Sequence, residues 1–98
     1  MQKKKNSPIK RLSIIVTGRV QGVGYRYFTK ENADMYSITG WVRNCANGNV
    51  EAEAQGNEEL LEQFCKELKK GPFFGHVNEL ISRELEPDLD ETGFDIHF

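Results

Sequence analysis

The stretch Ile38-Thr39-Gly40-Trp41-Val42-Arg43-Asn44-Cys45-Ala46-Asn47-Gly48-Asn49-Val50-Glu51-Ala52-Glu53-Ala54-Gln55 decides the fold. Asn47-Gly48 is a strong hairpin signal between two strand-like runs. The second run alternates cleanly: Val50, Ala52 and Ala54 face one way, Asn49, Glu51, Glu53 and Gln55 the other. A sheet with one apolar face and one wet face is expected. Turn length then sets the register. A two-residue turn at Asn47-Gly48 would bring Trp41 and Arg43 beside the apolar set. A three-residue loop, Ala46-Asn47-Gly48 with Gly48 left-handed, brings Gly40, Val42 and Asn44 there instead. A slip of one residue turns every side chain to the opposite face, so the two are exclusive. The three-residue loop keeps Arg43 off the core face and is the expected one. Asn44 then ends its strand on the side that the helices cover. Arg43 is left exposed on the wet face, and Trp41 is read as a packing or surface-platform aromatic.

Upstream, Leu12, Ile14 and Val16 alternate with Ser13, Ile15 and Thr17, which predicts a strand that is apolar on both faces and central in its sheet. Gly18, Gly22 and Gly24 follow within seven residues, too much glycine for helix or strand. A helix from about Tyr25 to Tyr36 comes next, with Phe28, Ala33 and Tyr36, and Tyr25 with them, on its buried face. Downstream, Asn57 is a plausible N-cap, Glu58 and Glu59 fall in the first turn, and Leu60, Leu61, Phe64 and Leu68 form one stripe. Lys66, Lys69 and Lys70 lie toward the end of that helix, and Gly71-Pro72 stops it. Val77 to Leu85 reads as a fourth strand, residues 87–93 as an acidic turn, and Phe94, Ile96 and Phe98 as a short closing strand. The order βαββαβ plus a short strand predicts an α+β, ferredoxin-like sandwich: an antiparallel sheet of order 4-1-3-2 with two helices on one face.

Composition narrows the class. Ninety-eight residues suit one domain. Residues 1–10 are expected to form a basic, flexible tail and 11–98 the folded domain. Of thirteen basic residues, five fall in the first eleven positions, leaving eight against fifteen acids in the remainder. So acidic a body is a poor nucleic-acid binder. No apolar run approaches the roughly 18 residues of a membrane span, and the basic N-terminus has no apolar stretch after it, so it is not a secretory signal. A cytoplasmic monomer with neither nucleic-acid nor membrane partner is expected. Cys45 and Cys65 read as reduced thiols, and no cluster of Cys or His suggests a metal.

In the expected topology the first two strands run parallel, so their carboxyl ends share one edge of the sheet. One delivers Gly18-Arg19-Val20-Gln21-Gly22-Val23-Gly24-Tyr25-Arg26 to that edge, and the other delivers Asn44. Glycines let the main chain approach a ligand closely and curl its N–H groups around an anion. The helix that follows adds the partial positive charge of its N-terminus. Arg26, in the first turn, has the wrong sign for helix stability, a conflict that a bound anion would resolve. Its guanidinium can grip two phosphate oxygens at once. The loop lacks the Gly-Lys-Ser/Thr of a Walker loop and the spacing of a dinucleotide fingerprint. His76 and His97 are expected far from it and are given no role.

These residues resemble the acylphosphatase family. Residues 18–26 are similar to its first signature, G-x-V-Q-G-V-x-[FY]-R. Gly40-Trp41-Val42-Arg43-Asn44, with Asn47-Gly48 and Val50-Glu51, is similar to its second, G-W-V-x-N…G-x-V-E. The resemblance runs from about Arg11 to Phe98. It implies a ferredoxin-like enzyme that hydrolyses acyl phosphates without metal or other cofactor. It further implies a phosphate loop at residues 18–26, where phosphate or sulfate would also bind, and catalytic roles for Arg26 and Asn44. Two stretches depart from the family pattern. Ser37 stands where a glycine usually follows the first helix, and Cys45-Ala46-Asn47 replaces a common Leu-Pro-Asp.

Overall fold

The computed structural model describes residues 8–98, so most of the expected basic tail lies outside the described residues. Strand β1 (Ile9–Arg19) begins two residues before the expected domain boundary. Ile9 and Lys10 pair with Asn57 and Gly56, and the Lys10 ammonium lies 3.0 Å from Glu58, so both belong to the sheet rather than to the tail. Helix α1 (Tyr25–Met35) and strand β2 (Thr39–Asn44) follow, then β3 (Val50–Asn57), α2 (Glu58–Lys70), β4 (His76–Leu85) and β5 (Phe94–His97). The sheet order is β4-β1-β3-β2-β5. The four longer strands pair antiparallel in the expected order, but β5 runs parallel to β2, which makes the sheet mixed rather than purely antiparallel. The cause is residues 86–93. That segment carries the chain back to the starting edge of β2, so β5 sets out in the direction β2 does.

The hairpin takes the three-residue loop. Gly40, Val42 and Asn44 pair with Ala54, Ala52 and Val50. The Cys45 N–H donates to Asn49 O at 2.8 Å, the Gly48 N–H donates to Cys45 O at 3.1 Å, and Gly48 has φ +96°. The core accordingly lies between the sheet and both helices. Ile14, Val16, Val42, Val50, Ala52 and Ala54 meet Tyr25 and Ala33 of α1 and Leu61, Phe64 and Leu68 of α2, with Phe94 edge-on to Phe64. At about 25 cal/mol per Å² of apolar surface, this layer is the main stabilising contact of the fold. Leu60, expected in the α2 stripe, is exposed instead. The stripe of Leu61, Phe64 and Leu68 already fills the helix face that meets the sheet. In α1 the buried face comprises Tyr25, Thr29, Asn32 and Ala33, while Phe28 and Tyr36 are only partly covered. Thr29 and Asn32 escape a sequence reading because each bonds a carbonyl one turn back, Tyr25 O and Phe28 O, at 2.9 Å, and so enters the interior satisfied.

The opposite face of the sheet is wet only in part. Arg11, counted with the basic N-terminus by sequence, is buried there. Its guanidinium donates to Glu91 at 2.8 and 3.2 Å, to Glu53 at 2.9 and 3.1 Å, and to Gln55 at 3.2 Å. Gln55 in turn clasps Asp88 through both backbone groups. The segment read as an acidic turn is thus strapped across β3, and hydrogen bonding to Arg11 holds the Glu91 carboxyl below the usual carboxylate range. Cys65 faces the interior, where burial pushes its thiol up to about 11, and it forms no disulfide with Cys45.

Candidate active site

The site begins where β1 stops being regular. Its pairing with β4 shifts between Thr17 and Gly18, a β-bulge. Gly18 has φ +124°, and a Cβ there would lie 2.2 Å from His76 O, so only glycine fits. The chain then leaves the sheet. Val20 turns into the core and Val23 packs against it, while Gly22 and Gly24, both at positive φ, remain exposed. Two apolar anchors thus hold an otherwise main-chain-lined loop. Tyr25 fixes the other end. It is buried, and its hydroxyl donates to Leu68 O at 2.8 Å, tying the start of α1 to the end of α2.

The N-terminus of α1 lacks the usual supports. Gly24 caps it without a side-chain acceptor, and no acid lies in the first turn. Its first N–H groups have no intrahelical partner, and Arg26 adds a full positive charge. Among the described residues the guanidinium makes one hydrogen bond, Nη1 to His97 O at 2.9 Å, and it lies 4.6 Å above the centre of the Phe98 ring. Among the described residues no carboxylate pairs with it. Opposite, the Asn44 Oδ1 is buried and meets no donor. An unpaired buried acceptor is costly, of order 1–3 kcal/mol, and a donor brought into the pocket would relieve that cost. A pocket of about 180 Å³ joins these parts, lined by Val20, Gly22, Gly24, Tyr25, Arg26, Tyr27 and Asn44.

The acylphosphatase family profile matches residues 12–96. The chain belongs to the acylphosphatase family. It is 54% identical to an acylphosphatase of Bacillus licheniformis over 77 residues, covering 79% of this chain and 84% of that protein. The crystal structure of acylphosphatase from Bacillus subtilis superposes with a TM-score of 0.87 at 38% identity, covering 91% of this chain and 99% of the other. A crystal structure of full-length HypF in a phosphate- and nucleotide-bound form matches with a TM-score of 0.82 at 30% identity, covering 93% of this chain but 12% of that one.

Within this chain the expected site residues divide. Arg26 and Asn44 line one pocket with Val20, Gly22, Gly24 and Tyr25. Gly18 and Arg19 do not: they are the last two residues of β1, paired with Val77 and His76. Gln21 turns its side chain to the hairpin, and Val23 turns to the core. Both histidines stand nearer the loop than the sequence suggested. His76 pairs with Arg19, and His97 supplies the carbonyl that holds Arg26 while its ring stacks on Trp41 at 5.3 Å. Tyr27, His97 and Phe98 are therefore site residues that sequence reasoning missed. The direction of β5 was the available signal, since a strand parallel to β2 must end at the same edge. Trp41 and Arg43 stay on the outer face, where Arg43 pairs with Glu51 at 2.7 Å.

A larger groove of about 590 Å³ lies between α2 and the β1–β4 edge, lined by Lys10, Lys66, Lys69, Glu58 and Glu62 over Leu12, Leu61 and Leu80. Its charges are mixed and its cations sit on flexible surface side chains. The smaller pocket concentrates the unpaired groups. Among the described residues no group of three or more His, Cys, Asp or Glu is placed to hold a metal, and no helix is long and apolar enough to cross a membrane.

Proposed function

We propose that this protein cleaves carboxyl–phosphate anhydrides to a carboxylate and phosphate in the pocket at the start of α1. The phosphoryl oxygens sit among the main-chain N–H groups of the loop ending at Tyr25. Arg26 clamps two of them. The Asn44 side-chain carbonyl accepts a hydrogen bond from the attacking water and aligns it with the bond to be broken. The single observation behind this reading is the buried, unpartnered Asn44 Oδ1 in the same pocket as Arg26 and an uncapped helix start.

The chemistry suits the residues. The leaving group is a carboxylate whose conjugate acid has a pKa near 4, so no general acid is needed. Phosphoryl transfer requires mainly positioning and stabilisation of charge on the equatorial oxygens. An amide is too weak a base to remove the proton from water, so a phosphoryl oxygen of the substrate accepts it as the water oxygen bonds to phosphorus. The acyl oxygen departs with the electron pair of the broken bond. The mechanism needs no metal, and EDTA should leave the rate unchanged.

The test is Asn44→Ala assayed with benzoyl phosphate. Turnover should fall by roughly 10²–10³-fold, the effect of losing one positioning group, while inhibition by inorganic phosphate persists. Unchanged turnover would remove Asn44 from the mechanism. Absent turnover in the parent chain, with intact phosphate binding, would make this an anion-binding module instead.

A further inference from the structure

The phosphate loop and Asn44 sit on strands that do not touch. β3 lies between β1 and β2, so at about 4.8 Å per strand spacing their ends stand roughly 10 Å apart. Main-chain pairing alone relates them only through an intervening strand. One side chain spans the gap directly. Gln21 Nε2 donates to Cys45 O at 2.8 Å and to Asn49 O at 2.7 Å. Both N–H groups of a primary amide are thereby used. The two acceptors adjoin the pair Asn44–Val50 on its loop side, and the Cys45 N–H also donates to Asn49 O, closing the hairpin at that level. Among the described residues no other hydrogen bond joins residues 20–24 to this hairpin.

We propose that Gln21 is a positioning residue for the hydrolysis: its amide fixes the anion-binding loop against the strand end that holds Asn44. This rests on the reading of Asn44 as the residue that orients the water. The sequence grouped Gln21 with the phosphate-binding loop, but its side chain faces the hairpin. In-line attack tolerates little error, and a displacement of about 1 Å can cost roughly 10²-fold in rate. A loop held only by Val20 and Val23 on the core side would keep its anion-binding shape while drifting relative to Asn44.

The test is a double-mutant cycle with the full chain: parent, Gln21→Met, Asn44→Ala and the double variant. Methionine keeps the length and flexibility of glutamine and removes both donors. Gln21→Met should lower kcat for benzoyl phosphate about tenfold or more, with inhibition by inorganic phosphate unchanged within about twofold. Added to Asn44→Ala, it should cost less than about twofold, because there is no longer a water to misplace. An unchanged kcat, a loss of equal size in both backgrounds, or a parallel loss of phosphate inhibition would each overturn the proposal. An Asn44→Ala enzyme with full turnover would instead overturn the reading beneath it. If circular dichroism finds Gln21→Met unfolded, Gln21→Ser, small enough to admit water to both carbonyls, takes its place in the cycle.

Discussion

The two helices of this protein begin in opposite ways. Helix α2 has the usual supports: Asn57 Oδ1 accepts from the N–H groups of Glu59 and Leu60 at 3.0 and 3.3 Å, Glu58 and Glu59 occupy the first turn, and Lys69 and Lys70 occupy the last. Helix α1 has a glycine cap without a side-chain acceptor, no acid in its first turn, an arginine there instead, and no base in its last. Both helices cover the same core, so packing does not explain the difference. The start of α2 is complete within the chain. The start of α1 lacks any such partner within the helix, and on the proposed reading an anion completes it. Two arginines repeat the lesson, Arg11 near the start of β1 and Arg26 in the first turn of α1. Arg11 spends its donors on Glu53, Gln55 and Glu91, whereas Arg26 has one carbonyl and one ring.

This contrast can be broken most severely at Arg26. Arg26→Ala should reduce turnover by roughly 10³-fold, the lower range for an arginine that stabilises a transferring phosphoryl group, and should also abolish inhibition by phosphate. Ordinary phosphate inhibition in that variant would end its proposed role. A gentler change makes α1 resemble α2. Tyr27→Glu places an acid in the first turn, where it should raise the thermal midpoint slightly while weakening phosphate inhibition about tenfold, since the helix end then holds its own negative charge. Tighter phosphate binding in that variant would contradict the contrast. The complementary change strips α2. Asn57→Ala should cost about 1 kcal/mol in chemical denaturation and leave phosphate inhibition alone. A shift in the inhibition constant would mean the two helix starts are not independent.

The smallest effect lies at the far end of α1. Ser37 holds φ +57°, the left-handed conformation that the usual family glycine adopts freely. Ser37→Gly should therefore stabilise the protein by about 0.5–1 kcal/mol without altering kinetics. A loss of stability would show that Ser37 makes a contact worth more than its backbone strain.

Much of this was legible in the residues because it rests on local rules. The register of β2 on β3 followed from one loop length, since the alternative would have put Arg43 in the core. The boundaries of α2 followed from Asn57, Glu58, Glu59 and Gly71-Pro72. That Gly24, Arg26 and Asn44 would share one edge followed from the parallel sense of β1 and β2. What stayed hidden depends on contacts distant in sequence. Arg11 reads as the last of a basic N-terminal run, with nothing local to show that Glu53 and Glu91, 42 and 80 residues away, enclose it. Phe98 and the carbonyl of His97 reach Arg26 only because β5 runs parallel to β2. Gln21 lies inside the glycine loop, and no local pattern tells whether its amide faces an anion or the hairpin.

The proposed anion site at the start of α1 is completed by Arg26 and faced by Asn44. A crystal grown in phosphate tests it most directly. One phosphate is expected within hydrogen-bonding distance of the main-chain N–H groups leading to Tyr25 and of the Arg26 guanidinium, with Asn44 Oδ1 across a gap that fits one water. A pocket left vacant at saturating phosphate, with the ion held instead among Lys10, Lys66 and Lys69 in the groove beside α2, would contradict it.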